Sequence, residues 1–159
     1  MIVGIGVDTV DIERFDRHLQ RTPALRDRLF YGDERELPIA SLAARFAAKE
    51  ALIKALGDSR GLGWHDMQVV RDADRAPSFV HTSALSHELR AVGADRVHLS
   101  MTHERTMAPA FVIVECTGPA PTDIPASAVS PDSTANGEHS VENSEPSVNS
   151  EPTANGDKQ

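Results

Sequence analysis

The stretch Ile2-Val-Gly-Ile-Gly-Val-Asp8, close to the amino terminus, decides how the fold begins. Its odd positions are apolar and β-branched, and Gly4 and Gly6 stand between them, which is the period of two that is typical of a β-strand. A strand face made of glycine lets another element approach the backbone closely. Asp8 follows where the apolar alternation stops, so we expect it to end this strand.

Outward from this strand, three helices are predicted. An apolar stripe of Ile12, Phe15 and Leu19 predicts a helix over 11–21. Ser41 is the expected N-cap of a helix over 41–56 that Gly57 ends, and a third helix covers 83–92. Further strands are predicted over 67–70, 79–81, 97–101 and 110–115. This order favours an α+β fold, with a small, mixed-order, mainly antiparallel sheet packed on helices.

The last quarter of the chain differs in composition. Of 159 residues, those from 119 to 159 hold seven acidic residues, one lysine and six of the ten prolines, and they hold no aromatic residue. Such a Ser/Pro/Asn/Glu-rich sequence cannot bury enough apolar surface to offset the entropy of ordering. We therefore predict one folded domain over 1–118 and a disordered acidic tail over 119–159.

Composition also excludes several classes of protein. A single cysteine, Cys116, rules out an internal disulfide framework and a multi-cysteine zinc site, and it predicts a cytoplasmic location. The apolar runs are shorter than the roughly 20 residues that a membrane span needs, so no membrane partner is expected. The net charge of −8 argues against a general nucleic-acid binder.

Glu50 is the first residue whose chemistry needs an explanation. On the predicted helix it shares a face with Phe46 and Ile53, where an unpaired carboxylate is costly. Two partners are open: Lys54 one turn later, in an ordinary helical ion pair, or a metal ion. Asp8 and Glu50 together offer hard oxygen ligands, and two carboxylates with waters and substrate phosphates are a common magnesium site.

The lysines near Glu50 point to an anionic ligand. Residues 1–118 hold 13 arginines but only two lysines, Lys49 and Lys54, and both flank this glutamate. A compact ammonium is suited to reach a phosphate, and Arg45 would join them. His103, directly after the fourth strand, is either a further phosphate contact or a hydrogen-bonded surface residue.

The first helix has a second, cationic face. Arg14, Arg17, His18 and Arg21 recur at helical spacing opposite the apolar stripe. A charged face of this kind is commonly no more than solvated. Within a nearly neutral domain it also suits the docking of an acidic protein partner, and without interleaved aromatic residues it does not suit nucleic acid.

Taken together, these segments resemble the small bacterial-type 4′-phosphopantetheinyl transferases, the holo-acyl-carrier-protein synthases. The resemblance covers residues 1 to about 116. The motifs that carry it are Ile2-Val-Gly-Ile-Gly-Val-Asp8 with Ile12-Glu-Arg14, Ser41-Leu-Ala-Ala-Arg-Phe-Ala-Ala-Lys-Glu-Ala51 through Lys54-Ala-Leu-Gly57, Trp64-His-Asp-Met67, Ser100-Met-Thr-His103, Ala108 and Val112-Ile-Val-Glu115.

The resemblance implies a trimer with active sites between subunits. It implies transfer of the phosphopantetheine arm of coenzyme A to a serine of apo acyl carrier protein, which releases adenosine 3′,5′-bisphosphate and serves fatty acid biosynthesis. By this resemblance, Asp8 and Glu50 are the Mg²⁺ ligands, and Lys54 and His103 contact the phosphates of coenzyme A. The remaining matches are Arg45, Lys49 and Gly57 in the binding segment, Pro77 in the hairpin turn near the adenine, and Arg14 on the helix that docks the carrier.

Two other functions compete with this hypothesis. The domain could be a non-catalytic oligomeric module that only docks an acidic carrier protein, although docking alone requires none of Asp8, Glu50, Lys54 and His103. A nucleotide-dependent oxidoreductase built on Gly4 and Gly6 lacks the third glycine of that fingerprint. For the enzyme, we expect Glu50 to act as the base toward the incoming serine hydroxyl, either directly or through a metal-bound water.

Overall fold

The structure, a computed structural model, describes residues 1–58 and 61–118. The predicted tail over 119–159 lies outside these residues. No helix in the described part is long and apolar enough to span a bilayer. The elements in chain order are β1 (Ile2–Asp11), α1 (Ile12–Arg21), α2 (Ala24–Leu29), a 3-10 helix (Gly32–Glu36), α3 (Ile39–Leu56), a second 3-10 helix (Trp64–Met67), β2 (Val69–Arg71), β3 (Pro77–Phe79), α4 (Ser83–Ala91), β4 (Arg96–Met101) and β5 (Met107–Glu115).

Two antiparallel sheets confirm the predicted α+β class. The main sheet has the order β1-β5-β4, and β5 pairs antiparallel with both neighbours. The short hairpin of β2 and β3 forms the second sheet. Strands far apart in sequence therefore meet in the main sheet, since the first strand pairs with the last.

The glycine face of β1 packs directly on α3. A Cβ on Gly4 would lie 1.9 Å from the carbonyl oxygen of Ala55, and one on Gly6 would lie 1.9 Å from that of Ala51. The prediction that something approaches this face closely is confirmed, and that element is the backbone of α3. The prediction that the strand ends at Asp8 is wrong, because β1 keeps pairing with β5 as far as Asp11.

Helix α3 is buried on several sides, as its alanine-rich sequence allows. It begins at Ile39 after Pro38, two residues before the predicted N-cap Ser41, so that capping prediction is wrong. Its end at Gly57 is confirmed, since Gly57 adopts a left-handed conformation with φ of +90°. The small side chains let strands and neighbouring helices pack closely around it.

Helix α1 carries the predicted apolar stripe, and Ile12, Phe15 and Leu19 are all buried. Its N-cap is Asp11, whose Oδ1 accepts a 2.7 Å hydrogen bond from the backbone N–H of Arg14. This cap ends β1 and starts α1 within one residue. It therefore fixes the angle at which the cationic helix leaves the strand that carries Asp8.

Candidate active site

A cavity of about 470 Å³ lies where β1, α1 and α3 meet. Asp8 and Glu50 both line it, although they are 42 positions apart in the sequence. Arg14 lines it from α1, and Phe15 and Phe46 supply apolar walls. The structure thus brings together the two carboxylates that the sequence predicted as metal ligands.

Asp8 is bonded to the lysine of α3. Its Oδ1 accepts a hydrogen bond from Lys54 Nζ at 2.6 Å, and the same ammonium donates to the carbonyl oxygen of Val7 at 3.2 Å. The Asp8 side chain is 19% exposed and that of Lys54 is 51% exposed. Asp8 lines the cavity, and Lys54 is bonded to it from outside the lining. Lys54 is therefore within reach of an incoming ligand.

Glu50 is held in a different environment. Burial raises the pKa of its carboxyl above the ordinary value, the nearby Asp8 raises it further, and Lys54 opposes both effects. Of the two partners that the sequence left open, the helical pair with Lys54 is wrong, because that ammonium is bonded to Asp8 instead. Within the described residues, the Glu50 carboxylate has no hydrogen bond or ion pair of its own.

These residues fit a magnesium ion better than a transition metal. Asp8 and Glu50 line the same cavity, and the charge of Asp8 raises the pKa of the Glu50 carboxyl. Across the described ranges 1–58 and 61–118, no group of three or more His, Cys, Asp or Glu side chains could hold a metal. A site that supplies two carboxylates and leaves the remaining positions to water and phosphate is the arrangement that Mg²⁺ accepts.

The structure corrects the prediction for Arg45 and Lys49, which were expected to contact phosphate. Lys49 is fully buried and donates to the carbonyl oxygens of Leu29 at 2.6 Å and Trp64 at 3.1 Å, and to Glu34 Oε2 at 3.1 Å. Arg45 is also buried, with Nε 3.8 Å from Glu34 Oε1. Both cations face the core, so neither is available to a ligand in the cavity.

Glu34 is the buried residue that sequence analysis missed. Besides the two cations, its carboxylate accepts hydrogen bonds from the backbone N–H groups of Tyr31 at 3.1 Å and Val69 at 3.0 Å. Burial lowers the pKa values of Arg45 and Lys49, and Glu34 counteracts that effect. Its neighbours Asp33, Arg35 and Glu36 are charged, which made the segment look like solvated surface. The sequence held no local signal that could have identified Glu34, because the burial of Lys49 is evident only in the structure.

An aromatic stack holds α1 against α3 beside the cavity. The rings of Phe15 and Phe46 are stacked at 5.1 Å between centroids, and Phe46 lies 5.6 Å from Trp64. Phe15 and Phe46 come from the helices that carry Arg14 and Glu50. The stack therefore fixes the distance between the cationic helix and the Glu50 carboxylate.

The other predicted site residues lie outside the cavity. His103 is in an exposed loop between β4 and β5, Gly57 is exposed at the end of α3, and Pro77 begins β3. Arg17 and Arg21 are exposed on α1 with Arg14, and Arg17 pairs with Glu13 at 2.6 Å. Within one chain, only Asp8, Glu50, Lys54 and Arg14 are brought together.

Comparisons with known proteins identify the family and the fold. A family model described as the 4′-phosphopantetheinyl transferase superfamily matches residues 4–106. A holo-[acyl-carrier-protein] synthase of Leifsonia xyli subsp. xyli is 56% identical over 115 residues, which make up 72% of this chain and 98% of that protein. The crystal structure of the holo-[acyl-carrier-protein] synthase from Neisseria meningitidis has a TM-score of 0.66 and 36% identity, covering 72% of this chain and 99% of that one. A holo-(acyl-carrier-protein) synthase from Bacillus anthracis, solved in complex with CoA (3′,5′-ADP), has a TM-score of 0.60 and 30% identity over 74% of this chain and 99% of that one.

Proposed function

The chain belongs to the 4′-phosphopantetheinyl transferase superfamily, and on that premise we propose that it modifies an apo acyl carrier protein. The reaction transfers the 4′-phosphopantetheine arm of coenzyme A to a serine hydroxyl and releases adenosine 3′,5′-bisphosphate. The holo carrier protein then serves fatty acid biosynthesis. The observation that carries this proposal is the meeting of Asp8 and Glu50 in one cavity.

Asp8 and Glu50 would hold a magnesium ion at this cavity. When bound, the ion would neutralise charge on the diphosphate of coenzyme A, which is a poor electrophile as long as that charge is unscreened. Lys54, half exposed beside Asp8, would bind an anionic oxygen of the same group. The cavity, of about 470 Å³, also leaves room for the phosphates, and Arg14 lines it from α1.

Glu50 is our choice for the base that accepts the proton of the serine hydroxyl. It lines the cavity and makes no hydrogen bond to another described residue, so its oxygens are free to accept one. The proton would move from the hydroxyl to Glu50 as the oxygen attacks the phosphorus and the bond to adenosine 3′,5′-bisphosphate breaks.

A homotrimer would complete the site. The outer face of the main sheet is apolar and exposed, with Ile5 and Val7 each 55% exposed and Phe111 42% exposed. The side chains of β1 lie there because its glycine face is occupied by α3. An uncovered apolar face of this kind is typical of a subunit interface. It would also let His103 of one subunit reach the phosphates at another subunit's cavity.

Mixing two inactive variants tests the shared site. Glu50→Gln and His103→Ala subunits, unfolded and refolded together, should regain activity, because some sites in mixed trimers then contain both native residues. Each variant refolded alone should stay inactive. Phe111→Glu should yield monomers in sedimentation velocity experiments. If Glu50→Gln and His103→Ala never complement each other, both residues serve the cavity of their own chain.

The cationic face of α1 would dock the carrier protein. Arg14, Arg17 and Arg21 are all exposed, and Arg14 also lines the cavity, so an acidic partner bound along α1 would place its serine near Glu50. Arg21→Glu should therefore weaken binding of the carrier and reduce its dependence on salt, while the affinity for coenzyme A stays unchanged.

Intact-mass analysis tests the reaction itself. Apo carrier protein incubated with the enzyme, coenzyme A and Mg²⁺ should gain the mass of one phosphopantetheine group, and chelation should abolish the gain. Asp8→Asn and Glu50→Gln should lose activity by about two orders of magnitude or more. Glu36→Gln is the matched control, since it removes an exposed carboxylate that does not line the cavity. No mass gain with any carrier would favour the non-catalytic docking module.

A further inference from the structure

Lys54 is bonded to Asp8, which is one of the two carboxylates that the proposed function assigns to magnesium. Its ammonium donates to Asp8 Oδ1 at 2.6 Å and to the carbonyl oxygen of Val7 at 3.2 Å. It extends from α3 one turn after Glu50. A divalent cation that binds Asp8 must therefore compete with a cation that belongs to the protein.

The charges of the site explain why that cation is there. Asp8 and Glu50 repel each other, and Lys54 counteracts this repulsion at Glu50. Among the described residues, Lys54 is the one cation bonded to Asp8, and no cation is bonded to Glu50. Arg14 also lines the cavity, but its recorded hydrogen bond is from its backbone N–H to Asp11. Without Lys54, two carboxylates would share the cavity with no cation bonded to them.

The same charges predict what happens when a divalent cation arrives. A divalent ion on Asp8 and Glu50 cancels their repulsion, and it repels an ammonium a few ångströms away. Lysine suits this exchange because it is a compact point charge on a flexible stem, and its side chain is half exposed here rather than buried in the core. The ammonium is then free to move to an anionic oxygen of the donor.

We propose that Lys54 is a built-in counter-cation, which neutralises Asp8 until a divalent cation displaces it and then binds the phosphate of the incoming donor. This inference rests on the proposed function, since it requires Asp8 and Glu50 to hold the metal. Lys54 thereby links the two binding events. The metal frees the lysine, and the lysine then contributes to donor binding.

Metal binding without coenzyme A tests the competition. Mn²⁺ is the probe, its free fraction is read by electron paramagnetic resonance, and the samples are the wild type, Lys54→Met, Arg14→Met and Asp8→Asn. Removal of the competing ammonium should tighten Mn²⁺ binding about fivefold in Lys54→Met, the upper end for a pair at the surface. Arg14→Met removes a cation from the same cavity that is not bonded to Asp8, so it should change the affinity by less than about twofold at physiological salt.

Amine labelling of the wild type provides a second measurement that needs no variant. The chain has three lysines, Lys49, Lys54 and Lys158, and Lys49 is fully buried. Acetylation of Lys54 by an N-hydroxysuccinimide ester, read by peptide mass spectrometry, should become several-fold faster when Mg²⁺ is added. It should slow again when coenzyme A is added with Mg²⁺, because the ammonium then contacts phosphate.

The outcomes separate this inference from the proposed function. If wild type binds Mn²⁺, Asp8→Asn does not, and Lys54→Met binds it as the wild type does, the displacement is overturned and the metal site stands. Equal tightening in Lys54→Met and Arg14→Met also overturns it, since general charge then explains the effect. If neither wild type nor Asp8→Asn binds Mn²⁺ and Mg²⁺ leaves the labelling rate unchanged, the metal site and the displacement fail together.

Discussion

Replacing Glu34 by Gln should destabilise the fold more than replacing any exposed charged residue. Glu34 is 3% exposed and accepts hydrogen bonds from Lys49 and from two backbone N–H groups. Glutamine has the same shape but turns one acceptor into a donor and removes the anion beside Lys49 and Arg45. Removing one partner of a buried charge cluster costs about 3–5 kcal/mol. For a domain of this size, the midpoint of thermal unfolding should fall by roughly 10–20 °C.

Thermal and urea unfolding of Glu34→Gln measure this loss, with Glu13→Gln as the control. Glu13 pairs with Arg17 at 2.6 Å on the exposed face of α1, so its replacement should cost at most about 1 kcal/mol. The loss of folding stability in Glu34→Gln should also be smaller at alkaline pH. Burial lowers the pKa of Lys49, so the folded variant binds fewer protons than its unfolded chain and gains stability as pH rises toward the ordinary lysine pKa. A Glu34→Gln protein within 1 kcal/mol of wild type, or one that weakens further at high pH, would refute the reasoning.

Two further variants test the site and its support. Burial and Asp8 raise the pKa of Glu50 above its ordinary value of 4.5, so the metal-free fold loses stability as pH rises above that value. Glu50→Gln should remove this fall of stability with pH. The prediction is contradicted if the urea midpoints of Glu50→Gln, measured between about pH 5 and 7, fall with pH as steeply as those of the wild type. Gly6→Ala should cost about 3 kcal/mol or more, because the added Cβ would lie 1.9 Å from the carbonyl oxygen of Ala51. Gly118→Ala, whose Cβ meets nothing within 4 Å, is the control in the same denaturation assay.

Local patterns predicted the elements well, because their causes are local. The stripe of Ile12, Phe15 and Leu19 and the C-terminal Gly57 of α3 are set by helix geometry within a few turns. The same approach failed for Lys49 and Arg45, because a lysine beside a glutamate at a helix surface and a lysine bonded to a distant glutamate have the same local sequence. What decided their role is Glu34, 15 residues before Lys49 and outside any helical period.

The pairing of Asp8 with Lys54 was nevertheless implicit in the first strand. A period of two places Asp8 on the same face as Gly4 and Gly6, and that face is the one that contacts α3. The close approach of Gly6 to Ala51 brings the strand backbone next to the helix turn that carries Glu50 and Lys54. A carboxylate two residues beyond Gly6 then meets an ammonium three residues beyond Ala51, so the glycines that shape the fold also set the distance between the two proposed metal ligands.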